Sequence, residues 1–248
     1  MSEKQRHRIF KGAIVVLVAV LFSCMQPMRS MAAAQTFTYK NAEDARTKAL
    51  NCMMTCAFST EWDAKGGSSS SVKLMRWEKT IKIFVAGSPE QDDLDQLDLF
   101  IMEIATHCPN MPNIRIVNSE KDANIVIYYG PLDQLSKHVD YYHEGNWGAF
   151  SYRYDSTHAM TSGKIGIATD RNTTDSKRHL LREELVGLFG LTNDHNYYTD
   201  SILYQEWTTT GQLSEVDWLM LNMLYDPALK CGMDAKEANE ILLKKIKA

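Results

Sequence analysis

"HLLREELVGLFGLTNDH", His179 to His195, decides how the rest of the chain is read. It has the outline of the zinc-peptidase helix and turn HExxHxxGxxH, in which two histidines on one helix face grip one ion. The glutamate beside the first histidine polarises the attacking water. A glycine then turns the chain and brings in a third ligand. On this frame Glu183 stands at the first histidine, Glu184 at the general base and Gly187 at the second histidine. Gly190 matches the turn glycine, Asn193 replaces the third ligand and Asp194 follows it. At about 100° per residue, Leu181, Leu185 and Leu188 point toward a core, while His179, Glu183 and Gly187 line the opposite face, where a cleft is expected. Glycine offers no ligand atom and a lone carboxylate cannot complete a tetrahedral site. Zinc is therefore not expected, and no metal or cofactor is assigned.

The segments around this helix predict an α+β domain. Residues 41–58 have a helical pattern that opens on a good cap, Asn41. "DAKGGSSSS", 63–71, has the composition of a flexible connector. Ile81, Phe84 and Val85 belong to a strand closed by Gly87, and an acidic-started amphipathic helix follows, with Leu94, Leu97, Phe100, Ile101 and Ile104 at helical spacing. Strands are predicted at 113–117, 123–130 and 163–170, with a loop rich in aromatics at 141–154 whose end has strand character. A helix over 175–189 stops at Gly190, and two further helices are expected at 213–224 and 234–247. One mixed, twisted sheet with helices gathered in the C-terminal half fits this order.

The N-terminus looks like a targeting segment. Lys4, Arg6, Arg8 and Lys11 precede the apolar run 13–22, which is too short for a comfortable bilayer span of ~20 residues. Ala32 and Ala34 form an A-x-A cleavage site before Gln35, and Cys24 is the alternative as a lipid-bearing cysteine. The division expected is a signal peptide at 1–34, a helical segment and linker at 35–71, and the main domain at 72–248. The protein is then exported, periplasmic or secreted, with a lipid anchor at Cys24 as the alternative. Membrane contact comes only through the signal segment or that lipid. A formal net charge of −4 argues against a nucleic-acid surface. Cys52, Cys56, Cys108 and Cys231 could form two disulfides in an oxidising compartment or stay buried thiols. They make no zinc pattern.

The combination "MRWEKTIKIFVAG", "ANIVIYYG", "REELVGLFGLTNDHNYYTDSILYQ" and "DWLMLNMLYDPALKCGM" resembles a family of exported bacterial proteins of unknown function with a zincin-like, metzincin-related fold. That family's helix typically reads Glu-Glu-Leu-x-Gln-x-Leu-Gly-Leu-Pro-Asn-Asp. Glu183, Glu184, Leu185, Gly190, Leu191, Asn193 and Asp194 match it, while Gly187 and Thr192 depart from it. Cys231 stands where the related "LYDPRLKPGM" has a proline. The resemblance covers 72–233. It implies a single zincin-like domain with a degenerate active-site helix, and it speaks to fold more than to reaction.

Each candidate residue carries two readings. Glu183 and Glu184 are either a carboxylate pair in a cleft, one of them protonated for acid/base work, or relics that anchor backbone. His179 with Glu183 is either half of a metal site or a plain surface pair at i,i+4. His195, His158 or His143 could swing inward to rebuild a site such as His179, Glu183 and His195. Asn193 and Asp194 form an Asx-type turn or contact a ligand. The rings of Tyr141, Tyr142, Trp147, Phe150, Tyr152 and Tyr154 line a groove or fill the core, and Trp77 and Trp218 belong to the core. The leading expectation is a non-catalytic protein that binds a peptide, a protein or a cell-envelope component, with His179, Asn193, Asp194 and His195 as binding candidates. The alternative is a hydrolase with Glu184 as general base and noncanonical or no metal. A third reading is a structural envelope protein.

Overall fold

Alternating isoleucines build the centre of the sheet. In the computed structural model, which describes the strand Ile14–Val18 and residues 35–59 and 72–248, Ile81, Ile83, Ile125, Ile127, Ile165 and Ile167 all point into the core. The cleavage site at Ala34, Cys24 and the connector at 63–71 lie outside the described residues.

In chain order the elements are β1 (Ile14–Val18), α1 (Ala42–Phe58), β2 (Ile81–Gly87), α2 (Gln91–His107), β3 (Ile114–Ile116), β4 (Ile125–Gly130), β5 (Gly148–Tyr154), β6 (Met160–Ala168), α3 (Thr174–Leu188), α4 (Glu215–Leu224) and α5 (Ala235–Ile246). Five strands form one mixed sheet in the order β5-β6-β4-β2-β3, and β1 extends it beyond β5. Neighbours from β6 to β3 run parallel, whereas β5 is antiparallel to β6 and β1 antiparallel to β5. β1 uses part of the apolar run 13–22. Mixed sheet and C-terminal helices agree with the α+β expectation.

α1 starts where its cap predicts, with the Asn41 side chain accepting from the Asp44 N–H. Its buried side chains, among them Leu50, Met53 and Phe58, join the same core as α4. The division expected at residue 72 therefore separates two parts of the sequence that share one core.

The neighbouring residues of "MRWEK" explain why that stretch accompanies the later motifs. Arg76 Nη1 donates to the carbonyls of Leu224 and Asp226, and Nη2 to that of Leu229, so it holds the "LYDPAL" turn. Trp77 is buried, and its indole Nε1 donates to the Leu188 carbonyl at the end of α3. The Tyr225 hydroxyl donates to the Phe189 carbonyl. Three separated motifs thus meet at the C-terminal end of one helix, where backbone carbonyls lack intrahelical partners. Trp218, also expected in the core, is half-buried against it. All four described cysteines are thiols, and burial pushes those of Cys52 and Cys108 up to about 12.

Candidate functional site

α3 begins at a Thr173 cap and ends where Gly190, at φ +122, takes a backbone conformation that disfavours side chains. That much follows the sequence. The expected two-faced helix does not. Of its 15 residues, 12 are buried, Lys177, His179, Arg182, Glu183 and Glu184 among them. The stripe at His179, Glu183 and Gly187 does not line an open cleft, because β5 and the segment 204–212 cover it.

At the second-histidine position, a Cβ on Gly187 would sit 2.6 Å from Phe150 Cε1, so the Phe150 ring of β5 fills that space. At the first, Glu183 Oε2 lies 3.2 Å from His179 Nε2, an ion-pair contact with both side chains 3 % exposed. The expectation of a plain surface pair is corrected here: the pair is interior. The other ring nitrogen, Nδ1, stands 2.8 Å from the Thr210 carbonyl, and the Trp207 ring packs edge-on against the imidazole at 5.5 Å. Burial works against charge on His179, but the contacts to Glu183 and to the Thr210 carbonyl outweigh it and raise its pKa above the usual histidine value. Glu184 is 0 % exposed, and its Oε1 lies 2.6 Å from where a Cβ on Gly148 would be. The candidate general base is therefore sealed under the first residue of β5.

The turn after α3 is equally committed. Asn193 is buried, its side-chain amide donating to the carbonyls of Cys56 (3.1 Å) and Ser59 (2.7 Å) and its N–H to Cys56 (3.0 Å). It ties the turn to the end of α1, where the last carbonyls need donors. Asp194 is half-buried, and its charge helps raise the already buried Cys56 thiol. His195 is buried between turn backbone and the rings of Tyr197 and Tyr198, and its Nδ1 accepts from the Tyr197 N–H. Burial lowers its pKa to about 4 and keeps the ring neutral at pH 7. His158 stacks on Tyr154, and His143 is exposed. The rebuilt metal set of His179, Glu183 and His195 does not assemble. Among the described residues, no three His, Cys, Asp or Glu side chains are placed to hold one ion. With Phe150 in the second-ligand position, these residues do not fit the zinc geometry.

The aromatic loop divides cleanly. Phe150 and Tyr152 are core residues of β5, whereas Tyr141 and Trp147 stay exposed. Trp147 meets Trp207 edge to face at 5.7 Å, both about two-fifths exposed, at the start of β5. The Trp147 carbonyl accepts from the Ala168 N–H. By antiparallel alternation, odd-numbered residues of β5 then bond β6, and Phe150, Tyr152 and Tyr154 turn their backbone groups toward the outer edge.

Sequence reasoning missed the charged interior. Lys177 Nζ reaches Glu90 at 2.6 Å and Asp93 at 3.1 Å, Arg178 reaches Asp92 at 2.7 Å, and Arg182 lies over the Phe100 ring beside Glu103. The signal was the acidic opening of α2 facing Lys177 and Arg178 near the start of α3: the acids read alone as an ordinary helix start, whereas the two bases run against the helix dipole and so ask for partners. Asp217 was also missed. It is fully buried and accepts from Ser201 Oγ, the Ile202 N–H, and the N–H and hydroxyl of Ser214.

These features define a class: a mixed α/β domain whose central helix is largely buried and ion-paired, beside a strand, β5, that is flanked by tryptophans at its start. The profile of a family described as "Protein of unknown function (DUF2927)" matches residues 47–244, from within α1 to within α5, and the chain belongs to that family. No curated protein matches the chain.

Proposed function

We propose that the protein is an exported, zincin-like protein without the standard zinc ligands that acts by binding, and that the outer edge of β5 receives an extended apolar peptide segment. The observation that carries this reading is the filling of the former metal-facing stripe: Phe150 against Gly187, His179 against Glu183, and Glu184 enclosed under Gly148. A general base needs hydrogen-bond reach to a water or substrate, and an enclosed carboxylate has no such approach.

β5 supplies the binding element. Its outward backbone groups form a template for strand addition, and the apolar segment Ile14–Val18 lies on it antiparallel, from Ile14 opposite Tyr154 to Val18 opposite Phe150. A bound strand continuing in that register passes Ala149 and Gly148 and reaches Trp147. An exposed aromatic ring beside an edge strand suits an apolar or planar side chain. Export rests on the basic n-region, the short apolar run and the small residues at Ala32 and Ala34.

The test uses protein recovered after export, its N-terminus read by mass spectrometry. It is assayed for metal and, by hydrogen exchange, for binding of a peptide with the Ile14–Val18 sequence. Protection of the Phe150 and Tyr152 amides, with the β6-bonded amides unchanged, is the expected result. Stoichiometric zinc lost in Glu183→Ala and His179→Ala, or peptide hydrolysis lost in Glu184→Gln, would overturn the reading.

A further inference from the structure

His179 is enclosed, and both of its ring nitrogens face oxygen acceptors. Nδ1 is 2.8 Å from the Thr210 carbonyl, which can only accept, and Nε2 is 3.2 Å from the Glu183 carboxylate. Against an ionised Glu183, a neutral imidazole has one N–H and serves only one of these oxygens, whereas the doubly protonated ring can serve both. The two contacts together suit an imidazolium. The partner on the far side lies outside helix and sheet, in a segment tied to the turn at its start by the Gln205 N–H on the His195 carbonyl. Thr210 lies in the segment 204–212, most of it exposed, and the same segment carries Trp207, which packs on the imidazole and on Trp147.

Other charges near the start of α3 are already matched: Lys177 by Glu90 and Asp93, and Arg178 by Asp92. Glu183 is the charged group that faces His179 from its own helix. The segment packed on it brings the Thr210 carbonyl and the Trp207 indole.

We propose that His179 is a protonation-operated latch on the segment 204–212: the imidazolium holds Trp207 against Trp147 at the start of β5, and loss of its proton releases the segment and opens that end of the edge. The direction follows from what each partner is anchored to. Glu183 sits on a buried helix and cannot retreat, so the contact that yields is the one to the exposed segment. A ring whose folded pKa lies above the ordinary value of 6.5 gives its full stabilisation below that value. The stabilisation is lost as pH rises through the folded pKa. The latch is closed in mild acid and opens toward alkaline pH. As a gate on peptide binding it rests on the function proposed above; as a moving segment it does not.

The test is acrylamide quenching of tryptophan emission in the full chain from about pH 6 to about pH 9, with Trp207→Phe to assign the signal. The expected result is a rise in quenching and a red shift, with a midpoint above 6.5, both lost in Trp207→Phe and in His179→Gln. Glu183→Gln keeps the ring but removes its counter-charge, so the midpoint moves down; this variant serves if His179→Gln does not fold. A flat wild-type profile, or a transition that survives His179→Gln, overturns the latch. Because Ile14–Val18 of the full chain already lies on β5, peptide with that sequence is then titrated into chain recovered after export and lacking residues 1–34, on both sides of the midpoint. Tighter binding on the alkaline side supports the gate, and equal binding overturns it. No binding on either side, with the quenching transition intact, sinks the peptide-edge function and leaves the latch standing.

Discussion

α3 and α5 are both helices rich in charged residues, and they end in opposite surroundings. α3 buries 12 of its 15 residues, ionisable ones included, whereas only Ala238 and Leu242 of α5 are fully buried. In α5 the contact between Lys236 and Glu240 spans 3.9 Å with both side chains largely in solvent. In α3 several of the buried groups are met from elsewhere in the fold: Asp93 and Glu90 for Lys177, Glu103 for Arg182, and for His179 the Thr210 carbonyl beside its helix-mate Glu183. A charged sequence therefore marks a solvated helix only when nothing else in the fold supplies its counter-charges. Burial of a charge is tolerated when it is paired and hydrogen-bonded.

Removing one partner in the enclosed helix gives the largest effect. Lys177→Met removes the counter-charge of Asp93, which is 4 % exposed and keeps the Glu90 N–H as a donor, and is expected to cost about 3–5 kcal/mol in a urea unfolding curve. Combining it with Asp93→Asn, which keeps an acceptor for that N–H, should recover a large part of that loss. A double variant as unstable as the single one would show that the pair is not the source.

A smaller effect tests the packing beside Gly187. Gly187→His places a Cβ against Phe150, an overpacking worth about 1–3 kcal/mol. In a double-mutant cycle with Phe150→Ala, the two changes should be non-additive by about 0.5 kcal/mol or more, the histidine being better tolerated once the ring is gone. Strict additivity would mean the two positions do not compete for the same space.

The smallest effect comes from α5. Lys236→Ala should change stability by less than about 0.5 kcal/mol, because the pair it breaks is exposed and screened. A loss approaching that of Lys177→Met would erase the contrast between the two helices.

Much of the architecture was legible because it is local. Asn41 caps α1, alternation marks β4, and Gly190 stops α3, each within a few residues of chain. The helix-and-turn frame of 179–195 was legible for the same reason. The role of Asn193 was half legible: a turn was expected, but its partners, the carbonyls of Cys56 and Ser59, lie more than a hundred residues away in sequence. His179 with Glu183 was legible as a spacing and not as an interior pair, since nothing in an i,i+4 relation says whether water reaches it.

By itself, then, the sequence determined the order and type of most elements from α1 onward and the helix-and-turn pattern of 174–195. These follow from backbone propensity, capping and periodicity, which act over one or two turns. Only the tertiary structure decided that most of α3 is buried, that the Phe150 ring fills the space beside Gly187, and that a loop carbonyl completes the surroundings of His179. Those facts depend on which segments arrive from far along the chain, and the hydrophobic packing that brings them together is non-directional and leaves no local mark.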